Sequence, residues 1–293
     1  MDKPTDVLLL YMRFKSFVIF SLFIIIPFVG ISQYHEYGFG LGGANYKGDL
    51  VFNGVLLKES HPLLELNYKK FNPDSRFRKK AFLKYYSISG ADSNYAGGYS
   101  RDYLYREKRN LSFFSNCIDV GVGFEFNLIE GKFWFLDNNY YHRFYGGLST
   151  GLMYFEPQTN FQGKRIKLRE IQTESEKYFP VTLIFPFSIG WETEVSRHVS
   201  YGLELSYQFT LSDRLDDVSG YYADMNDLRR RGGVDAIFLS YRNLESSYPN
   251  VSGNFISQNN KPKALRGDPN DRDGVLMLKL YVQFGGWDPL KRY

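Results

Sequence analysis

From Gln33 onward, apolar and polar side chains alternate with a period of two, the pattern of a strand whose two faces meet different surroundings. Ile118, Val120, Val122, Phe124, Phe126 and Leu128 fall on one face, opposite Asp119, Gly121, Gly123, Glu125 and Asn127. Tyr201, Leu203, Leu205, Tyr207, Phe209 and Leu211 alternate equally cleanly with Gly202, Glu204, Ser206, Gln208 and Thr210, and Leu276 to Phe284 repeats the pattern. Five further segments read the same way: Tyr37 to Tyr46, Leu63 to Phe71, Phe77 to Ser89, Tyr140 to Phe155 and Val181 to Thr193. In Phe77 to Ser89 the lysines Lys79, Lys80 and Lys84 fall on both faces, so the pattern leaves open which side is apolar. In Val181 to Thr193, Pro186 lies opposite the apolar face and predicts a local break in the hydrogen-bond ladder.

Eight such strands build either a soluble sandwich with its apolar face inward or a membrane barrel with that face outward. The polar face favours the second. It is rich in glycine and isolated charges (Glu65, Glu125, Arg143, Glu192, Glu204, Lys279), the filling of a narrow lumen. Aromatic residues crowd the strand ends at Tyr37, Tyr46, Phe113, Phe114, Tyr140, Tyr141, Tyr154, Phe155, Phe179, Trp191 and Tyr201, positions suited to two interfacial girdles. Connections alternate in length: Lys47 to Ser60, Gly90 to Asn110, Glu156 to Tyr178 and Asp213 to Asp273 are long, whereas Asn72 to Arg76, Ile129 to Asn139 and Ser196 to His198 are shorter. The predicted class is therefore all-β: one eight-stranded antiparallel up-and-down transmembrane β-barrel with long outer loops and no free edge.

An aromatic content of 18% excludes an unfolded chain, and beyond residue 32 there is no apolar run long enough for a membrane-spanning helix. Residues 1–32 read as a secretory signal peptide: Arg13 and Lys15 precede the apolar stretch Phe17 to Ile31, and Gly30 and Ser32 stand at the −3 and −1 positions of a cleavage site. Met12 just before the basic pair raises the reading of an upstream mis-assigned start. Residues 33–285 then form the barrel and 286–293 a C-terminal tail. With Cys117 the single cysteine, no internal disulfide is available. The net charge of +4 is spread along the chain, and Arg229 to Arg231 reads as a solvated helix end, so nucleic acid is not an expected partner.

Three motifs mimic chemistry. Gly38, Gly40 and Gly43 satisfy G-x-G-x-x-G but lie inside a strand instead of opening a helix, so no dinucleotide follows. Gly147, Ser149 and Gly151 match G-x-S-x-G, yet lie mid-strand on the inner face, with His142 on the other face. The acidic stretch Asp268, Asn270, Asp271 and Asp273 fails the calcium-loop register, because Pro269 falls where the first carboxylate belongs. No catalytic residue, cofactor or metal site is expected.

Four blocks resemble the PorG-like outer-membrane β-barrel family of the type IX secretion system: Tyr37 to Leu50, Asn67 to Pro73, Asp216 to Tyr222, and Arg266 to Asp273, with Gly274 where the family carries an aromatic. The resemblance implies a non-enzymatic outer-membrane component that ties or contacts a periplasmic PorK/PorN-type ring and the translocon. An outer-membrane hydrolase and a generic structural barrel are the alternatives, and a passive pore is disfavoured because eight strands enclose only side chains. Expected partners are outer-membrane lipid and these secretion proteins. The candidate partner-binding residues lie in the fourth outer loop: Asp216, Asp217, Tyr221, Tyr222, Arg266, Asp268, Asn270 and Asp271. In the same loop Asp224 to Arg231 predicts a short helix, and Ile237, Phe238, Leu239 and Tyr241 supply apolar surface, either for a partner or for a lid over the barrel mouth.

Overall fold

The computed structural model describes residues 34–285 apart from 52–56, 73–74, 96–105, 107, 134–135, 138 and 197. The expected signal peptide, 1–32, and the tail, 286–293, lie outside the described residues. Eight strands form a closed antiparallel ring: β1 (Tyr34–Lys47), β2 (Ser60–Phe71), β3 (Phe77–Ala91), β4 (Ser112–Gly131), β5 (Tyr141–Phe161), β7 (Val181–Ser196), β8 (Val199–Thr210) and β9 (Gly274–Gly285). Each pairs with the next, and β9 pairs with β1. A short strand, β6 (Lys164–Lys167), folds back on the end of β5 above the ring.

The faces are those the alternation predicts. Ile118, Val120, Val122 and Phe124 point outward, as do Leu203, Leu205, Leu278 and Leu280, while Glu65, Glu125, Arg143, Glu192, Glu204 and Lys279 are buried inside. An apolar belt around a charged interior is the inverse of a soluble core, and it removes every backbone edge from contact with lipid. In β3 the structure settles the open face: Arg78, Lys80, Phe82, Lys84 and Tyr86 point in, and Phe77, Lys79, Leu83 and Tyr85 point out. Opposite Pro186 the β5–β7 ladder lapses between Leu148↔Phe187 and Gly151↔Ile184, then resumes in the same register.

The lower lumen, toward the short turns, is filled by one ionic network. Glu192 accepts from Arg143 (2.7 Å), Tyr281 (3.0 Å), Lys69 (3.3 Å) and Arg78 (3.3 Å). Glu125 bridges Lys69 (3.1 Å) and Arg143 (3.2 Å), and Glu204 takes Lys279 (2.7 Å), Lys80 (3.2 Å) and the Tyr145 hydroxyl (2.8 Å). Glu65 joins Lys279 to Lys80. Buried charges are tolerated only when paired in this way. The glycines let the strands and these long side chains approach: a Cβ on Gly42 would lie 2.1 Å from the Leu278 carbonyl oxygen. Gly147, Ser149 and Gly151 are inward and mid-strand, where a Cβ on Gly151 would meet the Val120 carbonyl at 2.3 Å. They serve packing.

Higher up the lumen turns apolar, and two expectations change. Tyr46, Phe113 and Phe155 do not join an interfacial girdle; they are buried in a cluster with Ile88, Met153, Val275 and Met277 that plugs the mouth. Tyr37, Tyr154, Phe179 and Tyr201 do face outward. Similarly, Glu156 to Phe161 is not loop: β5 continues to Phe161, because Phe155 and Phe161 still have an apolar interior to enter.

Candidate functional site at the outer mouth

The long connection between β8 and β9 folds over this apolar plug as a lid. Asp224 caps helix α2 (Met225–Ser240), accepting from the backbone N–H groups of Asn226 (2.8 Å) and Asp227 (3.2 Å). Gly233, at φ 72°, breaks the helix and turns its second half downward. Ile237, Phe238 and Leu239 are thereby buried, and Phe238 and Leu239 extend the barrel's own cluster together with Leu50, Leu215 and Val218. These residues, with Tyr241, whose hydroxyl donates to the Ala223 carbonyl (2.8 Å), are the underside of a lid and offer no outer apolar surface.

Two arginines stitch the outer loops together. Arg109 grips the Asp92 carboxylate through Nε (2.9 Å) and Nη2 (2.7 Å), and also donates to the carbonyls of Arg266 (2.6 Å) and Asp49 (3.1 Å). Arg266 donates to Glu174 (3.1 Å) and to the Asp217 carbonyl, linking the third and fourth outer loops. Glu174 also accepts from the backbone of Ser219 (3.0 Å). The Asp217 carboxylate takes hydroxyl protons from Tyr178 (2.7 Å) and Thr173. Asp49 accepts from the Asp268 backbone N–H (3.1 Å), fastening the first loop to the end of the fourth.

At the centre, the Tyr46 hydroxyl lies 2.5 Å from Asp273 and 2.8 Å from Asp216. A phenol has one proton to give, so the second contact needs a proton on a carboxyl group. Burial and mutual repulsion push both carboxyls well above the ordinary carboxylate range. The pair shares a proton at neutral pH.

Burial also raises Asp217 to about 6 against the pull of Arg266, Asp49 to about 6 and Asp213 to about 7. Each folded-state value lies above the ordinary 3.8, so the closed lid holds protons that an opened lid releases. This stability is full below about pH 4 and is lost as pH rises through about 6 to 7 and beyond. Hydrogen exchange of lid amides such as Leu215 and Val218, corrected for intrinsic rates, is expected to show weaker protection at pH 8 than at pH 5. Equal or stronger protection at pH 8 would refute the shared-proton latch.

The family described as "Domain of unknown function (DUF6089)" matches residues 15–235, more than half of the chain. The chain belongs to the DUF6089 family. No curated protein matches this DUF6089 chain. Among solved structures, it is similar to Ail, the attachment invasion locus protein of Yersinia pestis, in complex with the heparin analogue sucrose octasulfate. The identity is 10% and the TM-score 0.35, covering 87% of this chain and 100% of that one. It is also similar to Neisserial surface protein A (NspA), with 8% identity and a TM-score of 0.37 over 86% of this chain and 96% of that one.

The eight candidate residues of the DUF6089 chain divide in two. Asp216, Asp217 and Arg266 are buried and hold the lid, leaving nothing to present to a partner. Tyr222 is half-buried against Tyr241, and Tyr221, Asp268, Asn270 and Asp271 stand on the outer surface. Sequence reasoning missed Tyr46, Arg109 and Glu174 as lid residues. Their partners are tens to hundreds of positions away, and no local pattern marks them.

Proposed function

We propose that this protein is a non-enzymatic outer-membrane β-barrel of the type IX secretion machinery, contacting the translocon and a periplasmic PorK/PorN-type ring. In this reading residues 1–32 direct export, 33–285 are the barrel and 286–293 a tail. The observation that carries it is where the PorG-like blocks meet. Tyr46 and Asp49 of the first block, Asp216 and Asp217 of the third, and Arg266, Asp268 and Asp273 of the fourth converge in one latch. The resemblance thus follows a three-dimensional unit, the closed lid, in addition to strand periodicity. A lumen packed with paired charges and a sealed mouth supports an anchoring role over passage or turnover of a substrate.

The surface left for a partner on the outer face is small. Tyr221 and Leu265 are paired by an isolated bridge and are 53% and 55% exposed, with Asp268, Asn270 and Asp271 nearby in sequence. Replacing the whole segment 221–239 would destroy the lid's underside, so the informative variant is the surface pair Tyr221→Ser with Leu265→Ser. The barrel should remain heat-modifiable in detergent, while type IX-dependent secretion and co-purification of translocon or ring proteins fall. Normal secretion, together with no such protein in a pull-down of the tagged wild type, would overturn the assignment.

A further inference from the structure

The outer wall carries a groove that neither the lid nor the ionic lumen uses. It has a volume of 750 Å³ and lies on the β2–β7 side at the end of the barrel with the short turns. Its floor is Gly146, which points outward between Phe126 of β4 and Ile189 of β7, its direct partners in the ladders. A Cβ there would meet a single atom, at 4.0 Å, so the glycine opens space on the wall instead of relieving a clash. Phe124, Leu148 and Phe187 form the upper edge in one cross-strand row, and that same row continues through Lys79 to Lys70. The two lysines therefore stand directly opposite each other on the outward face, at the end of an apolar trough whose lining includes no carboxylate.

Like charges in direct cross-strand register repel, and a lysine on the lipid face is unfavourable unless an anion meets it. Phe77, still more exposed and nearer the short turns, places Lys79 within the apolar belt instead of beyond it. Above the first groove a second apolar depression of 610 Å³ follows the same strands upward past Val122, Thr150 and Leu183. Together they make a track that begins at two cations and runs along the wall toward the middle of the bilayer.

We infer that this track is a binding site for an anionic glycerophospholipid of the periplasmic leaflet, its phosphate held by Lys70 and Lys79 and an acyl chain lying over Gly146. The inference rests on the membrane placement proposed above. The direction of the track sets the leaflet: cations near the short turns and apolar surface toward mid-bilayer suit a lipid whose headgroup faces the periplasm. The volume falls within the range of formed ligand sites.

The test is native mass spectrometry of the full chain released from vesicles of phosphatidylglycerol and phosphatidylcholine in equal amounts. Phosphatidylglycerol should be retained over phosphatidylcholine by roughly thirtyfold, from two lysines each worth about a tenfold factor or less. Lys70→Gln with Lys79→Gln should bring the ratio near unity, and Gly146→Phe should fill the trough and abolish retention of either lipid. Both variants should keep the heat-modifiable barrel. Equal retention of the two lipids by the wild type, full retention by Gly146→Phe, or stronger retention of lipid A than of phosphatidylglycerol would each overturn the site. Failure of the wild type to insert into vesicles at all would overturn the membrane reading on which it stands.

Discussion

Substituting Glu192 with alanine is expected to remove about 3–5 kcal/mol of folding stability, the cost of leaving buried cations without their counter-charge. Glu192 is the carboxylate on which Arg143, Lys69, Arg78 and Tyr281 converge, at 2.7 to 3.3 Å. Its removal leaves Glu125 and Glu36 to balance those three cations, and neither can reach all of them. Urea unfolding of the barrel in vesicles measures the loss. The double variant Glu192→Ala with Arg143→Ala should recover part of it, because it deletes a charge of each sign. A single-variant cost under about 1 kcal/mol would show that water, and not the network, screens the lumen.

Arg266→Ala is expected to open the lid without opening the ring. The guanidinium joins Glu174 to the Asp217 backbone and is almost fully buried, so its loss leaves two buried carboxylates facing each other. The cost is about 3 kcal/mol or more, concentrated in residues 213–273. Hydrogen exchange should accelerate there while β1 to β5 and β7 to β9 stay protected. Arg266→Lys should rescue only part, since one ammonium cannot reproduce the planar fork that reaches both acceptors. Loss of protection throughout the ring would mean that lid and barrel form one cooperative unit.

Strand positions were legible wherever the two faces meet chemically different media. Val120 and Glu125 belong to lipid and lumen, and their alternation says so. The signal fades toward the outer mouth, where lipid lies on one side and the lid's apolar underside on the other. Phe113 beside Phe114, and Tyr154 beside Phe155, each put one ring in and one ring toward the outside, so both faces read as apolar and period two disappears. That is why the ends of β4 and β5 exceed their predicted bounds and why three inward aromatics resembled a girdle. β3 is the converse case: Lys79 on the outer wall and Lys80 and Lys84 inside make both faces look polar. In the lid, the start of α2 was visible from Asp224, whose capping bonds are local. The burial of Asp216, Asp217 and Arg266 was not, because it depends on Tyr46, Tyr178 and Glu174 from other loops and strands.

The seam between β1 and β9 has a further consequence for how such a barrel comes into being. Twelve positions are matched across it, from Glu36↔Gly285 to Lys47↔Gly274. The same last strand brings Lys279, the ammonium that bonds both Glu65 on β2 and Glu204 on β8. A chain that has laid down every strand but this one is doubly incomplete, with an unsatisfied backbone edge and two interior carboxylates short of a shared counter-ion. One event cures both. The bilayer therefore acts as a proofreader: a ring short of its last stave has little claim to remain there, whereas the finished ring gains its hydrogen bonds and its electroneutrality together.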